Sequence, residues 1–430
     1  MSLIRRYFDP IRSRWYANKS TRQTQLETTP LSLYLRLDDV YSYLVVQILD
    51  DLYDILIDDL KPIQLFISTQ SGELPSKMSQ QDWQTYCLND AKMLAAQHGF
   101  AYDDVPEMPT AQAIAQAQHI LQQSDLQGRE FLYLLEDVFH MLWQQQETKL
   151  ATLAMKAEHC SSQTTVQKAF QSSNLPILTA YFSFGHRQYH AIDGLLRLTR
   201  RLQQQQLLTA APIFLINHIE WREHLIQGVE EVADIQALQP ELDVYLAFED
   251  PMSWLILQYL QEQLLEYYNI QLRIFPVQYQ GKDDFDWGMV YRVAQRVKVD
   301  FAPFCRPNET AIHQMAKIFY SVDESQRLAM MLNLLQSVWT KGRDFSYQRH
   351  FKAFVEQQDV ILQPQQVYQH LAQNTAQCMA YKQPDLPVLV LRIAGQQFVF
   401  NSFYRIWLIE SIFSKVLEKQ YQAEQNDEHE

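Results

Sequence analysis

The sequence predicts an α/β protein of two similarly built halves in tandem, each a sheet interrupted by a block of inserted helices. Three observations carry this expectation. An alternating, β-rich run closed by an acidic pair and followed by a helical pattern occurs twice, as LSLYLRLDDVYSYL at Leu31–Leu44 and LDVYLAFEDPMSWL at Leu242–Leu255. A proline leading straight into an apolar run also occurs twice, in NLPILTAYF from Asn174 and in DLPVLVLRI from Asp385. The two intervals match: from Asp39 to Pro176 and from Asp250 to Pro387 the difference in position is 137 in both halves. Recurrence at fixed spacing points to an internal repeat.

Each half opens as strand, sharp turn, helix, strand. Leu44, Ile48, Leu49, Leu52 and Ile55 share one helical period, as do Leu257, Leu260, Leu264 and Tyr267, and the runs Lys61–Ile67 and Asn269–Val277 read as the following strands. A second helix is predicted over Trp83–His98 and again over Phe285–Val297, trailed by loops holding Pro106 and Pro109, or Pro303 and Pro307. Ala113–Trp143 and Ala311–Trp339 follow as two-helix stretches ending in FHMLW and LQSVW. Their aromatic residues, Phe131, Tyr133, Phe139, Trp143, Phe319, Tyr320 and Trp339, are expected in the core. The proline-led strand, a turn at Gly185 or Gly395, a short strand and a last helix complete each half. Proline lacks a ladder N–H and restrains its predecessor, so cis bonds are expected before Pro176 and Pro387.

These elements divide the chain into a basic arm (1–29), a first domain (30–205), a linker (206–239), a second domain (240–420) and a disordered acidic tail (421–430). With 430 residues, 47% of them apolar, two domains can each bury a core. The formal net charge of −14 repels polyphosphates and argues against nucleic acid as a partner. The arm carries Arg5, Arg6, Arg12 and Arg14 among Tyr7, Phe8, Trp15 and Tyr16, a pattern that suits the protein's own acidic body better than an anionic membrane. It has no apolar signal-peptide core, and no apolar run reaches the roughly 20 residues that span a bilayer. The expectation is a soluble, cytoplasmic protein. Cys87, Cys160, Cys305 and Cys378 lie far apart, without CxxC or CxC, and read as buried thiols in a reducing compartment.

The order of elements resembles a thioredoxin-like fold with an inserted helical subdomain, as in the DsbA family. DVYSYL at Asp39 and DPMSWL at Asp250 are similar to the SPYSYL-type segment of 2-hydroxychromene-2-carboxylate isomerases and kappa-class glutathione transferases. Asp90 and Ala91, and Arg292 and Ala294, partly match that family's D-x-x-R-x-A helix. GHRQYHAIDGLLRL is similar to its G…GQDRL ending, with Asp193 at the acidic position, whereas GQQFVFNSFYRIWL in the second half departs from it. The resemblance covers residues 30–205 and 240–420. It implies a ligand cleft between core and insert, with glutathione as the cofactor.

In that family the start of the first helix carries the chemistry, because its N–H groups and dipole stabilise a thiolate. Here the tetrads are Asp39-Val40-Tyr41-Ser42 and Asp250-Pro251-Met252-Ser253, without the first cysteine and without the serine that replaces it in the isomerases. Thiol–disulfide exchange requires an attacking thiolate, so these positions cannot support it. A carboxylate about 4 Å from a bound thiolate costs roughly 4 kcal/mol at an effective dielectric of about 20. Three readings follow. In the first, Asp39 and Asp250 cap their helices in a redox-inactive binder of a small thiol, an aromatic ligand or a protein partner. In the second, either aspartate replaces serine in a glutathione-dependent isomerase or transferase, with Ser42, Ser253, Pro176, Pro387 and Asp193 lining the ligand site. A carboxylate at a helix N-terminus is expected to have a low pKa, which makes it a weak base. In the third, the pair is purely structural.

No metal is expected. In HIEWREH the histidines, His218 and His224, are six apart rather than the four that bind zinc on a helix, so a solvated linker helix is expected. His186 and His190, in a turn and a strand, read as a surface pair. No GxxxxGK[ST], GxGxxG or GxSxG segment occurs, which leaves phosphate cradles and nucleophile elbows without support.

Overall fold

The computed structural model describes residues 30–427 except 76–77, 103–106, 161–169, 174, 186, 212–223, 279–286, 304 and 364–366. The basic arm, Asn174, His186, His218 and the last three residues of the tail lie outside the described residues. The chain falls into two compact units that divide after residue 218.

In the first unit, β1 (Ser32–Leu35) runs into α1 (Val40–Val46) and α2 (Leu49–Ile55), and β2 (Gln64–Ser68) follows. The insert comprises α3 (Gln80–His98), α4 (Ala111–Gln123), α5 (Gly128–Trp143) and α6 (Glu147–Cys160), after which come β3 (Phe170–Ser173), β4 (Tyr181–Phe184), β5 (Arg187–His190) and α7 (Ala191–Gln204). The strand order is β3-β2-β1-β4-β5, with β1, β2 and β3 parallel and β4 and β5 antiparallel to their neighbours. Leu33, Leu35, Phe182 and Phe184 alternate onto one buried face of this sheet.

The second unit adds α8 (Val229–Ala237) ahead of β6 (Glu241–Leu246), α9 (Pro251–Tyr259) and β7 (Gln271–Pro276). Its insert is α10 (Trp287–Val297), α11 (Glu309–Tyr320), α12 (Arg327–Trp339), α13 (Gln348–Gln357) and α14 (Val367–Ala380), followed by β8 (Val388–Ile393), β9 (Gln396–Asn401) and α15 (Leu408–Asp427). The order β7-β6-β8-β9, with β6 and β7 parallel and β8 and β9 antiparallel to their neighbours, is the βαβ-plus-hairpin arrangement of a thioredoxin-like sheet. Ala394 and Gly395 both take positive φ in the two-residue β8–β9 loop, as a type I′ hairpin turn requires.

Several expectations need correction. The first helix of the first unit is broken at Gln47–Ile48: the Gln47 side chain binds the Tyr43 and Ala101 backbone, and the Ile48 N–H bonds to Val45 O. Its counterpart passes instead into a π-helical turn, Leu260–Leu265. Leu386–Pro387 is cis, but the bond before Pro176 is not. Pro387 abuts β8, whereas four residues separate Pro176 from β4, and Ile177 forms an isolated bridge with Ser71. The tail is helical to Asp427 rather than disordered from 421, and Tyr421 Oη donates to Asp234 of α8 at 2.7 Å. Of the insert aromatics, Tyr133 is exposed and bonded to Arg129, while Phe131, Phe139, Trp143, Phe319, Tyr320 and Trp339 are buried.

Candidate functional site

Asp39 closes the turn after β1 and caps α1. Its extended backbone (φ −113°, ψ 116°) lets one carboxylate oxygen accept from Tyr41 N at 3.3 Å, and the other from Ser42 N at 3.0 Å and Ser42 Oγ at 2.7 Å. That second oxygen also accepts from Ala180 N at 2.8 Å, in the segment that follows Pro176. Ser42 Oγ in turn accepts from Arg36 N at 3.0 Å. Asp39 is 6% exposed and Ser42 fully buried.

Arg36, itself buried, fixes the same turn from the other side. Its Nη1 donates to Ser71 Oγ at 2.8 Å and to the Ile177 carbonyl at 3.0 Å, and its Nε bonds Asp38 at 2.8 Å. Pro176 is exposed on this segment, joined to the start of α1 through its neighbours Ile177 and Ala180.

The second unit repeats the cap with differences. Asp250 accepts from Met252 N at 3.0 Å, Ser253 N at 2.9 Å and Ser253 Oγ at 2.6 Å, while Ser253 Oγ accepts from Ala247 N at 3.2 Å. Pro251 occupies the first helical position, where a missing N–H costs nothing. Arg306 Nε bonds the Glu249 carbonyl at 3.1 Å. The charge of Asp385, two residues before Pro387, bears on Asp250.

The electrostatics reverse the expectation of a low pKa. Burial pushes Asp39 up to about 6, against the opposing pull of its bonds from Ser42 and Ala180 and of the Arg36 charge. Burial, with the Asp385 charge added, pushes Asp250 up to about 7. Desolvation outweighs the dipole because both carboxyls lie inside the protein rather than at an exposed helix end.

The arrangement has a definite chemical limit. Each Ser hydroxyl donates to the aspartate and accepts a backbone N–H, so both of its roles are taken inside the protein. Cys87, Cys305 and Cys378 are buried; burial pushes the Cys87 thiol strongly up and Cys378 up to about 12, which keeps both protonated.

The structure gives Asp90, so far noted only as a partial match to the D-x-x-R-x-A helix, a partner that the sequence patterns did not supply. Tyr41 Oη donates to the fully buried Asp90 of α3 at 2.6 Å, beside Cys87 and the Asp39 cap. An aspartate on the apolar face of YCLNDAKMLA was the available signal. Asp193 is half-buried in the first turn of α7 beside His190, whose pKa is lowered by burial. His224 is not on a solvated helix: its Nδ1 lies 2.7 Å from buried Glu410, and its ring stacks on Tyr267 at 3.8 Å.

Two cavities, of about 690 Å³ in the first unit and 420 Å³ in the second, border the insert, and neither is lined by Asp39 or Asp250. Among the described residues no three His, Cys, Asp or Glu side chains are placed to hold a metal ion, and no helix is long and apolar enough to cross a membrane.

No protein-family model matches the sequence, and no curated protein is significantly similar to it. Among solved structures, the chain is similar to a 2-hydroxychromene-2-carboxylate isomerase (16% identity over 43% of this chain and 98% of that one, TM-score 0.35). It is also similar to a putative protein disulfide isomerase from Nitrosomonas europaea (11%, 42% and 98%, TM-score 0.34). A third is the cytosolic disulfide reductase DsbM from Pseudomonas aeruginosa (12%, 43% and 99%, TM-score 0.31).

Proposed function

We propose that the chain is a tandem duplicate of DsbA-type thioredoxin-like units that has given up thiol chemistry and acts as a binding protein in a reducing compartment such as the cytoplasm. One observation carries the reading. The Asp39 carboxylate fills the position at the start of α1 where an incoming thiolate would be held, and takes up the N–H groups of Tyr41, Ser42 and Ala180. An internal anion in that place competes with any external one.

The glutathione-dependent reading requires a thiolate beside a carboxyl that is buried in both units. Its ionised form would repel the sulfur, and its protonated form is a poor base. The products of binding and of catalysis are separable in one experiment. Titration with millimolar glutathione is expected to leave the melting temperature unchanged, and conjugation of chlorodinitrobenzene is expected to stay at the background rate, since a ligand bound to the folded state must stabilise it. A shift that Asp39→Ala or Asp250→Ala abolishes would establish the glutathione-dependent enzyme in place of the inert binder.

A further inference from the structure

The two cavities occupy equivalent places in their units. Each lies between the second strand, the end of the first helical segment and the start of the insert helix that ends in a buried tryptophan. In the first unit the walls include Ile63, Leu65 and Leu132; in the second they include Leu272, Ile274 and Leu328. One difference stands out. Twelve positions before Trp143 stands Phe131, and twelve before Trp339 stands Arg327, and both residues line their cavities.

Arg327 is placed against local preference. It is the first residue of α12, where the dipole's positive end repels a cation, and the cap residue Gln326 makes no side-chain cap bond. It is half-buried, and among the described residues its Nε has no hydrogen-bond partner and it pairs with no carboxylate. Its guanidinium rests instead over the rings of Phe319 and Tyr320, at 5.7 and 5.9 Å from their centroids. The other cation in the wall, Arg273, is already neutralised by Asp243 at 2.7 Å and Glu241 at 3.1 Å. Glu266 and Glu324, also on the wall, are exposed and bond neither arginine, so solvent screens their repulsion of an anion.

We propose that the cavity of the second unit binds a small carboxylate with an apolar body. The carboxylate would meet Arg327 and the start of α12, and the body would lie on Leu272, Ile274 and Leu328. A volume of 420 Å³ is in the range of small-molecule sites. A forked guanidinium and a helix start both favour a planar anion, and the aliphatic walls favour a hydrocarbon chain over a polyol. The first unit, with Phe131 in place of the arginine, lacks the anchor. The site is separate from Asp39 and Asp250, so its test is independent of the glutathione experiment.

Sodium octanoate titrated calorimetrically into the full chain tests this, with octanamide as the uncharged control. One saturable site is expected, with octanamide at least tenfold weaker and a raised melting temperature on octanoate binding. Arg327→Phe, which copies the first unit, is expected to weaken octanoate at least tenfold while leaving the ligand-free melting temperature close to that of the parent. Arg327→Gln supplies the same comparison if the phenylalanine variant does not fold. Absence of octanoate binding, equal binding of octanamide, or undiminished binding to a folded Arg327 variant would each overturn the proposal.

Discussion

The carboxylate of Asp39 accepts a hydrogen bond from the backbone N–H of Ala180, 141 residues away in sequence, at 2.8 Å. This bond makes the helix cap a fastener between α1 and the segment leading to β4. Among the described residues Asp250 has no counterpart to it: its three bonds come from Met252 and Ser253, within its own first turn. The two aspartates therefore do different mechanical work at matching positions. Replacing Asp39 by alanine leaves buried donors at Tyr41, Ser42 and Ala180, and is expected to cost about 3 kcal/mol. Asp250→Ala is expected to cost less, about 1–2 kcal/mol, because only the local cap is lost. Urea midpoints of the two variants check the order. In Asp39→Ala, millimolar formate is expected to recover part of the loss by filling the vacated volume, and chloride is not.

Both carboxyls fold into positions that favour their protonated form, which sets a pH dependence. With native values of about 6 and about 7 against an ordinary 3.8, the folded state binds protons more tightly than the unfolded state. Their contribution is fully present below about pH 3.8 and is lost as pH rises through about 6 for Asp39 and about 7 for Asp250. The size for Asp39 is about 3 kcal/mol, from about 1.4 kcal/mol per pKa unit. Other groups titrate in the same range, so the readout is a difference: the parent minus Asp39→Asn or Asp250→Asn, measured by urea midpoint from pH 4.5 to 8. The difference is expected to change across that window, and a flat one would show that neither carboxyl is protonated in the folded chain.

Ser42 links the cap to the turn before it, since its hydroxyl donates to Asp39 and accepts from Arg36 N. Ser42→Ala removes a bond that holds the Asp39 pKa down and leaves the Arg36 N–H buried without its acceptor. The expected result is a loss of about 1–3 kcal/mol and a shift of the Asp39-dependent transition to higher pH. A stability loss with an unmoved transition would mean that the hydroxyl serves Arg36 alone.

The thiols supply a chemical test of redox inertness. Cys87, Cys305 and Cys378 are buried, with Cys87 and Cys378 held protonated. In the folded chain these three are expected to resist iodoacetamide at pH 8, and to be alkylated once urea unfolds it, as peptide mass spectrometry would report. Rapid labelling of any of the three in the native chain would contradict the burial.

Much of this architecture was legible in the sequence because it rests on local signals. The acidic pair before an apolar helix marks Asp39 and Asp250 as caps, and alternation marks β1 and β6, since cap chemistry and strand period act over a few residues. What was not legible depends on distant partners. The pKa of Asp39 rises because residues far along the chain bury it, and Arg36 reads as an ordinary charge until Ser71 and Ile177 are brought to it. Arg327 matches no motif, and its position becomes meaningful only beside the cavity and the rings of Phe319 and Tyr320. Sequence spacing points His224 to a solvated helix because it carries no information about Glu410, 186 residues away.

Gly194 separates packing from backbone preference. It lies in the second turn of α7, where alanine would ordinarily gain about 1 kcal/mol over glycine. A Cβ there would lie 2.4 Å from the carbonyl carbon and 2.7 Å from the Cα of Tyr189, so α7 can approach β5 only through a bare Cα. Backbone cannot yield as a flexible side chain does, so Gly194→Ala is expected to destabilise the first unit by about 3 kcal/mol or more. Gly99 provides the contrast. It ends α3 with φ +73° and has nothing within 4 Å of an added Cβ, so Gly99→Ala carries only the strain of the left-handed conformation, about 1 kcal/mol. Urea denaturation followed by a first-unit probe is expected to place Gly194→Ala well below Gly99→Ala. The reverse order would mean that α7 does not sit against Tyr189 as described, and with it the placement of Asp193 and His190 would fall.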